Sequence, residues 1–315
     1  MKYNKGIYTT MITPYTSEGK VDYDTARKYV RFYASHGCDG IFAVCQSSEI
    51  FFLSEDERAE LNKTVWDEVQ KIYSESGRRL TVVSSGHVAD SPDDQARELN
   101  RIVSTGTDAL ILITNRLASE TESDDIWIQN AEKLISMLPK DVSLGLYECP
   151  YPYKRLLTSK VLKWCLSTGR FKFIKDTCCD ADLIRERLEL LRGSDLYLFN
   201  ANGQTLLESL KAGGAGYCGV MANFHPELYA WLYENYERNT EMAEKVAAFL
   251  GVACATEVNL PYPLTAKYHM CLRGIPTQNI ARNRPSNALT PYARLCTQQI
   301  KTAAEYFLSM IGETK

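Results

Sequence analysis

Two residues stand out for their chemistry. Lys175 closes the apolar run in "RFKFIKDTCCD" (170–180), and Tyr147 closes the run in "SLGLYEC" (143–149). Phe171, Phe173 and Ile174 read as strand residues, so Lys175 falls at the far end of a strand, just before Asp176. An interior lysine costs several kcal/mol if it is charged and unpaired, and burial of this kind lowers the pKa of an amine. A neutral amine in a dry pocket is a carbonyl nucleophile of the Schiff-base type. The alternative is a lysine ion-paired to Asp176, and spacing alone leaves both open.

The elements that must position these groups repeat along the chain. Apolar runs at 6–13, 40–44, 80–86, 109–114, 143–149, 171–176, 196–201 and 216–221 are each followed by an amphipathic stretch. In the first such stretch, Ala26, Tyr29, Val30 and Tyr33 share one helical face before Gly37. Ser54 with Glu57 forms a capping-box pattern, and Ser91-Pro92 reads as a cap followed by proline at the first helical position. Continuous apolar strands separated by helices imply parallel strands buried on both faces. Eight such units predict a (β/α)8 TIM barrel over residues 1–235, with 236–315 as a C-terminal helical appendix packed on it. An open doubly wound sheet is the runner-up, but no G-x-G-x-x-G follows the first strand.

A barrel of this kind carries its active site at the C-terminal ends of its strands. Those ends supply Gln46, Ser47, Ser48 and Glu49, then His87, Asn115-Arg116, Tyr147-Glu148, Lys175-Asp176, Asn200 and Cys218. Tyr147 and Lys175 therefore belong to neighbouring strands, the fifth and sixth.

At these positions the chain resembles the dihydrodipicolinate synthase/N-acetylneuraminate lyase family of class I Schiff-base aldolases. The resemblance is carried by "YECP" and "FIKDT", by "CQSSE" at 45–49, by "GIYTTMITPY" near the start and by "GGAGYCGVMAN" at 213–223. It implies that Lys175 forms an imine with a 2-keto acid and that Tyr147 shuttles protons as a general acid–base. It implies further that Ser47 passes the proton along and orients the phenol, while the N–H groups of Ser47 and Ser48 hold the keto-acid carboxylate. No metal or organic cofactor is needed, because the protonated imine is the electron sink. Gln46, Ser48, Cys218 and Arg116 are the candidate substrate contacts. The family also implies a homo-oligomer, a tetramer or dimer.

The departures bear on the substrate. Cys45 and Ser48 stand where the family loop has glycine, and Pro152 where the synthase branch has an arginine for its second substrate. Arg155 lies three positions further on. Leu117, in "TNRL", replaces a tyrosine of the family's proton relay, so that relay is shorter or another group completes it. Arg116 is either a surface residue or a site for an acidic substrate group, and His87 either a polar contact or a loop histidine bonded to backbone.

Composition narrows the partners. With 36 basic and 39 acidic residues the formal charge is −3, no signature for nucleic acid. No run approaches the roughly 20 apolar residues of a membrane span, and the first ten residues lack a signal-peptide core, so a cytoplasmic location is expected. The ten cysteines show no C-x-x-C pair, and Cys178 and Cys179 are read as small buried packing residues. The expectation is a lyase or aldolase acting on a 2-keto acid, pyruvate-forming or pyruvate-using. The alternatives are a 2-keto-3-deoxy sugar acid dehydratase using the same lysine and a catalytically silent keto-acid-binding barrel.

Overall fold

The computed structural model describes residues 4–313. Eight parallel strands close a barrel in sequence order, with β8 pairing β1. They are β1 Gly6–Thr10, β2 Gly40–Phe42, β3 Thr81–Ser84, β4 Ala109–Ile113, β5 Ser143–Tyr147, β6 Phe171–Asp176, β7 Tyr197–Asn200 and β8 Gly216–Gly219. Helices α1 Tyr23–Ser35, α2 Glu55–Ser76, α3 Pro92–Ser104, α4 Asp124–Ser136, α5 Ser159–Thr168, α6 Ala181–Leu190, α7 Leu206–Lys211 and α8 Pro226–Asn235 follow the successive strands. The chain continues through α9 Thr240–Glu257, α10 Leu264–Leu272 and α11 Pro291–Glu313.

Local chemistry explains where the helices begin. Ser54 Oγ accepts from the Glu57 N–H at 3.1 Å, and the Glu57 carboxylate accepts from the Ser54 N–H at 2.9 Å. Ser91 caps α3, with Pro92 at its first position. Inside the barrel, Phe173 lies two residues before Lys175 and therefore on the same face of β6, one layer lower. Its ring stacks on Phe199 at 4.5 Å, and Tyr8 meets Phe199 edge-on at 4.7 Å. This aromatic layer is the floor beneath the lysine. Tyr229 is fully buried against Tyr217, ring centroids 4.2 Å apart, so it is a core residue and offers no surface for another chain.

Candidate active site

Strand register brings the amine and the phenol side by side. Tyr147 on β5 is the direct partner of Lys175 on β6, so both side chains point into the barrel at the same level. The Lys175 Nζ lies 3.9 Å from the centre of the Tyr147 ring and 5.9 Å from that of Phe42. Both residues are nearly sealed, at 4% and 2% exposure. Burial pushes the Tyr147 phenol well above its usual range, so it keeps its proton and donates it to Gln46 Oε1 at 3.2 Å.

Asp176, the residue that could have neutralised Lys175, faces the other way. Alternation along β6 turns it outward, where it pairs with Arg187 of α6. The same guanidinium reaches Glu148 at 2.8 Å, and all three side chains are buried. Burial raises the Glu148 carboxyl, against the pull of Arg187. Glu148 also accepts the N–H groups of Leu157 at 2.7 Å and Thr177 at 2.8 Å. This buried triad fixes the turns that follow β5 and β6, and so holds Tyr147 and Lys175. Among the described residues, no carboxylate forms an ion pair with Lys175.

Ser47 lies in a single 3-10 turn, Gln46–Ser48, after β2, and its hydroxyl donates to Thr10 Oγ1 at 3.0 Å. Next to both is Tyr262, from the connection between α9 and α10. Burial raises its phenol strongly, while hydrogen bonding with Ser47 and Thr10 acts in the opposite direction. Asn223 donates to the Tyr262 hydroxyl at 3.3 Å. The turn is pinned from below by Glu49, at φ 61° in the left-handed region. Its buried carboxylate accepts from Lys267 Nζ at 2.8 Å, from the Arg282 N–H at 2.5 Å and from the Asn283 N–H at 3.0 Å. Burial lowers the Lys267 amine to about 8, partly offset by Glu49. Glu49 thereby fastens the segment at 282–283 over the barrel mouth.

These residues open on a cavity of about 460 Å³, whose lining includes Gln46, Ser47, Tyr147 and Lys175. The end of α9 and the connections on either side of α10 supply much of its far wall: Glu257, Leu260, Tyr262, Asn283 and Arg284. They are thus part of the site, which reading them as an appendix did not foresee. Glu257 is 1% exposed, and burial raises its carboxyl to about 8. Its Oε1 accepts from the Thr265 hydroxyl, and its Oε2 has no hydrogen-bond partner.

Several expected contacts lie elsewhere. Ser48 is buried, its hydroxyl donating to Met11 O and Ala43 O at 2.8 Å each and its N–H to Cys45 O at 3.0 Å. It braces the turn, and the expected carboxylate grip from its N–H is corrected: that donor is spent. Arg116 is corrected likewise, since its guanidinium donates to Val88 O and lies 3.5 Å from Asp90, outside the cavity lining. Cys218 is fully buried in the barrel interior, with its thiol pushed up to about 12 by burial. Its neighbour Gly219, rather than Cys218, lines the cavity.

His87 is sealed and neutral, lowered to about 4 by burial. Its Nε2 accepts from the Ile113 N–H at 2.7 Å, so the proton sits on Nδ1, facing Gln95 Oε1 at 2.9 Å. Arg155 binds Ser119 O, Glu122 O and Asp124, turned toward the start of α4. Leu117 packs in the core. Cys179 overturns the packing expectation: it is exposed, lines the cavity and adopts φ 62°. All ten cysteines are free, and no helix among the described residues is long and apolar enough to cross a membrane.

Comparison with known proteins agrees with this architecture. The chain is 22% identical to an uncharacterized DapA-like lyase of Pyrococcus abyssi, over 88% of this chain and 91% of that protein. It is 23% identical to the 4-hydroxy-tetrahydrodipicolinate synthase of Haloarcula marismortui, over 94% and 90%. Among solved structures, the E. coli K12 prophage protein YagE, described in complex with pyruvate, superposes with a TM-score of 0.81 at 19% identity, covering 96% of this chain and 98% of that one. The dihydrodipicolinate synthase of Cyanidioschyzon merolae gives 0.82 at 19%, covering 97% and 99%. Residues 3–78 and 140–303 match the Dihydrodipicolinate synthetase family; the stretch between, which holds His87, Arg116 and Leu117, lies outside the match. This chain belongs to the Dihydrodipicolinate synthetase family and is an enzyme of its class I aldolase type.

Proposed function

We propose that the protein makes or breaks a carbon–carbon bond in a 2-keto acid through an imine on Lys175, with pyruvate as product or substrate. The observation that carries this reading is the buried Lys175 amine, lacking a carboxylate partner and packed on the Tyr147 ring at 3.9 Å. A binding protein has no use for such a group.

In the cleavage direction the amine attacks the ketone carbon, and the resulting carbinolamine loses water as Tyr147 O–H protonates the departing oxygen. The protonated imine then accepts the electron pair of the C3–C4 bond, leaving an enamine and an aldehyde as the C4 hydroxyl gives up its proton to the phenolate. Protonation of the enamine at C3 and hydrolysis of the imine release pyruvate and restore the amine. The chain's own lysine supplies the electron sink, so the reading requires no metal or organic cofactor. Ser47 lines the same cavity as the amine, and we assign its N–H to the keto-acid carboxylate and its hydroxyl to the proton path, although the resting phenol bonds Gln46 and not Ser47. Tyr262 adds a phenol next to Ser47 from within the same chain, in a protein that has Leu117 at the relay position. On family membership we also read the protein as a homo-oligomer, and light scattering should return a dimer or tetramer mass.

Borohydride reduction in the presence of pyruvate, followed by peptide mass analysis, tests the central step. A covalent adduct on Lys175 that disappears in Lys175→Ala is expected; no adduct with any of several 2-keto acids would overturn the proposal. A dehydratase would give the same adduct but release a 2-keto acid of unchanged carbon count from its substrate.

A further inference from the structure

One group on the cavity wall has no part in the imine chemistry. Glu257 ends α9 with one carboxyl oxygen engaged by Thr265 and the other unpartnered, although it is 1% exposed and lines the cavity. A buried polar atom without a partner costs about 1–3 kcal/mol, and such groups are otherwise paired. A purely structural acid would be paired or exposed. This one also sits in the last turn of a helix, where the macrodipole disfavours an acid.

We propose that Glu257 is a specificity residue that reads the half of the substrate lying beyond C3, selecting 2-keto acids whose chain carries a hydroxyl or carbonyl oxygen there over hydrocarbon chains of equal length. The assignment rests on the imine reading, which places the keto-acid end at Lys175. Thr265 engages Oε1, which leaves Oε2 without a partner. Burial holds the group neutral, with a pKa of about 8, opposed only by the Thr265 hydrogen bond. The neutral acid on the cavity wall is thus left with one hydrogen-bonding oxygen unspent for a ligand. Tyr262 and Cys254 line the same cavity and are electrostatically coupled to Glu257. A hydrocarbon chain in this place would leave the acid unsatisfied, and pockets built to hydrogen-bond a substrate oxygen reject analogues that lack it.

The test compares 2-oxohexanoate with its 4-hydroxy and 5-hydroxy derivatives, read as the concentration giving half-maximal borohydride trapping at Lys175. Adducts of the intact acid and of any pyruvate released are counted together. The wild-type protein should capture at least one hydroxy acid at about tenfold lower concentration than 2-oxohexanoate, the worth of one hydrogen bond. Glu257→Leu should close that gap to within twofold. Glu257→Gln, which keeps a donor and an acceptor, should preserve it and shows that the fold survives a change at this position. A gap absent from the wild type, or one that persists in Glu257→Leu, overturns the proposal. Should no acid be trapped at all, the imine reading fails. Calorimetry of the same acids with Lys175→Ala protein, with and without Glu257→Leu, then still decides the role of Glu257 by the same tenfold difference.

Discussion

Replacing Glu257 by glutamine should stabilise the protein at neutral pH and change little at pH 5. The carboxyl titrates near 8 in the folded chain, against an ordinary 4.5. Between those values the folded chain holds a proton that the unfolded chain has released. Wild-type stability therefore falls as pH rises through that window, and the contribution is intact only below about 4.5. At 1.36 kcal/mol per unit, the shift sets a ceiling of about 5 kcal/mol, reached above pH 8. About 1 kcal/mol of it is already lost at pH 5 and about 3 kcal/mol at pH 7. Glutamine keeps the shape and the Thr265 contact but does not titrate, so its advantage should grow by about 2 kcal/mol between pH 5 and pH 7. Urea unfolding of both proteins at pH 5, 6, 7 and 8 measures this. Taking the difference between them cancels every other titrating group. A difference that stays constant within about 0.5 kcal/mol would mean that Glu257 is ionised and hydrated in the folded protein, and the argument for a neutral acid with an unspent oxygen would fall with it.

Three other outcomes follow from buried groups. Tyr147→Phe should lower turnover by about 10²- to 10⁴-fold while shifting the concentration needed for pyruvate trapping far less; unchanged turnover would remove the phenol from the proton path. His225 and His269 are both buried and are lowered by burial to about 3. Folded values below the ordinary 6.5 mean that their contribution is complete above pH 6.5 and is lost as pH falls toward 3. A His225→Phe, His269→Phe protein should accordingly unfold at lower pH in an acid titration followed by circular dichroism. Lys267→Met strands the Glu49 carboxylate and should cost about 3–5 kcal/mol in urea unfolding, whereas Lys63→Met, which breaks an exposed pair with Asp67, should cost under about 1 kcal/mol.

The barrel was legible because its signal is periodic: eight apolar runs of strand length, each followed by a helical face, leave few alternatives. The positions of Tyr147 and Lys175 at the ends of neighbouring strands were legible for the same reason, whereas spacing left the role of Lys175 open and only the family resemblance pointed to an imine. What could not be read was direction and partnership. Whether Asp176 neutralises Lys175 depends on Arg187, a helix residue whose reach across to β6 has no local signature. Ser48 and Arg116 sat at plausible strand ends, but backbone carbonyls brought close only by folding claimed their donors. Glu257, Tyr262 and Arg284 come from a region with no β/α repeat to index it. Two local signals were present there: an acid closing α9 against the helix dipole, and the prolines at 261 and 263 that hold Tyr262 in an irregular connection.

The Glu49 clasp also sets an order of events during synthesis. Its partners at Arg282 and Asn283 lie 233 and 234 residues downstream, so the clasp cannot close until the ribosome has delivered the chain past Asn283. All eight strands, with Lys175 and Tyr147 among them, emerge well before that moment. For that interval the nascent barrel has its amine and its phenol but lacks the wall that contains Glu257, Tyr262 and Arg284. Completion of the chamber is thereby tied to synthesis as far as Asn283 and to the docking of that segment on Glu49.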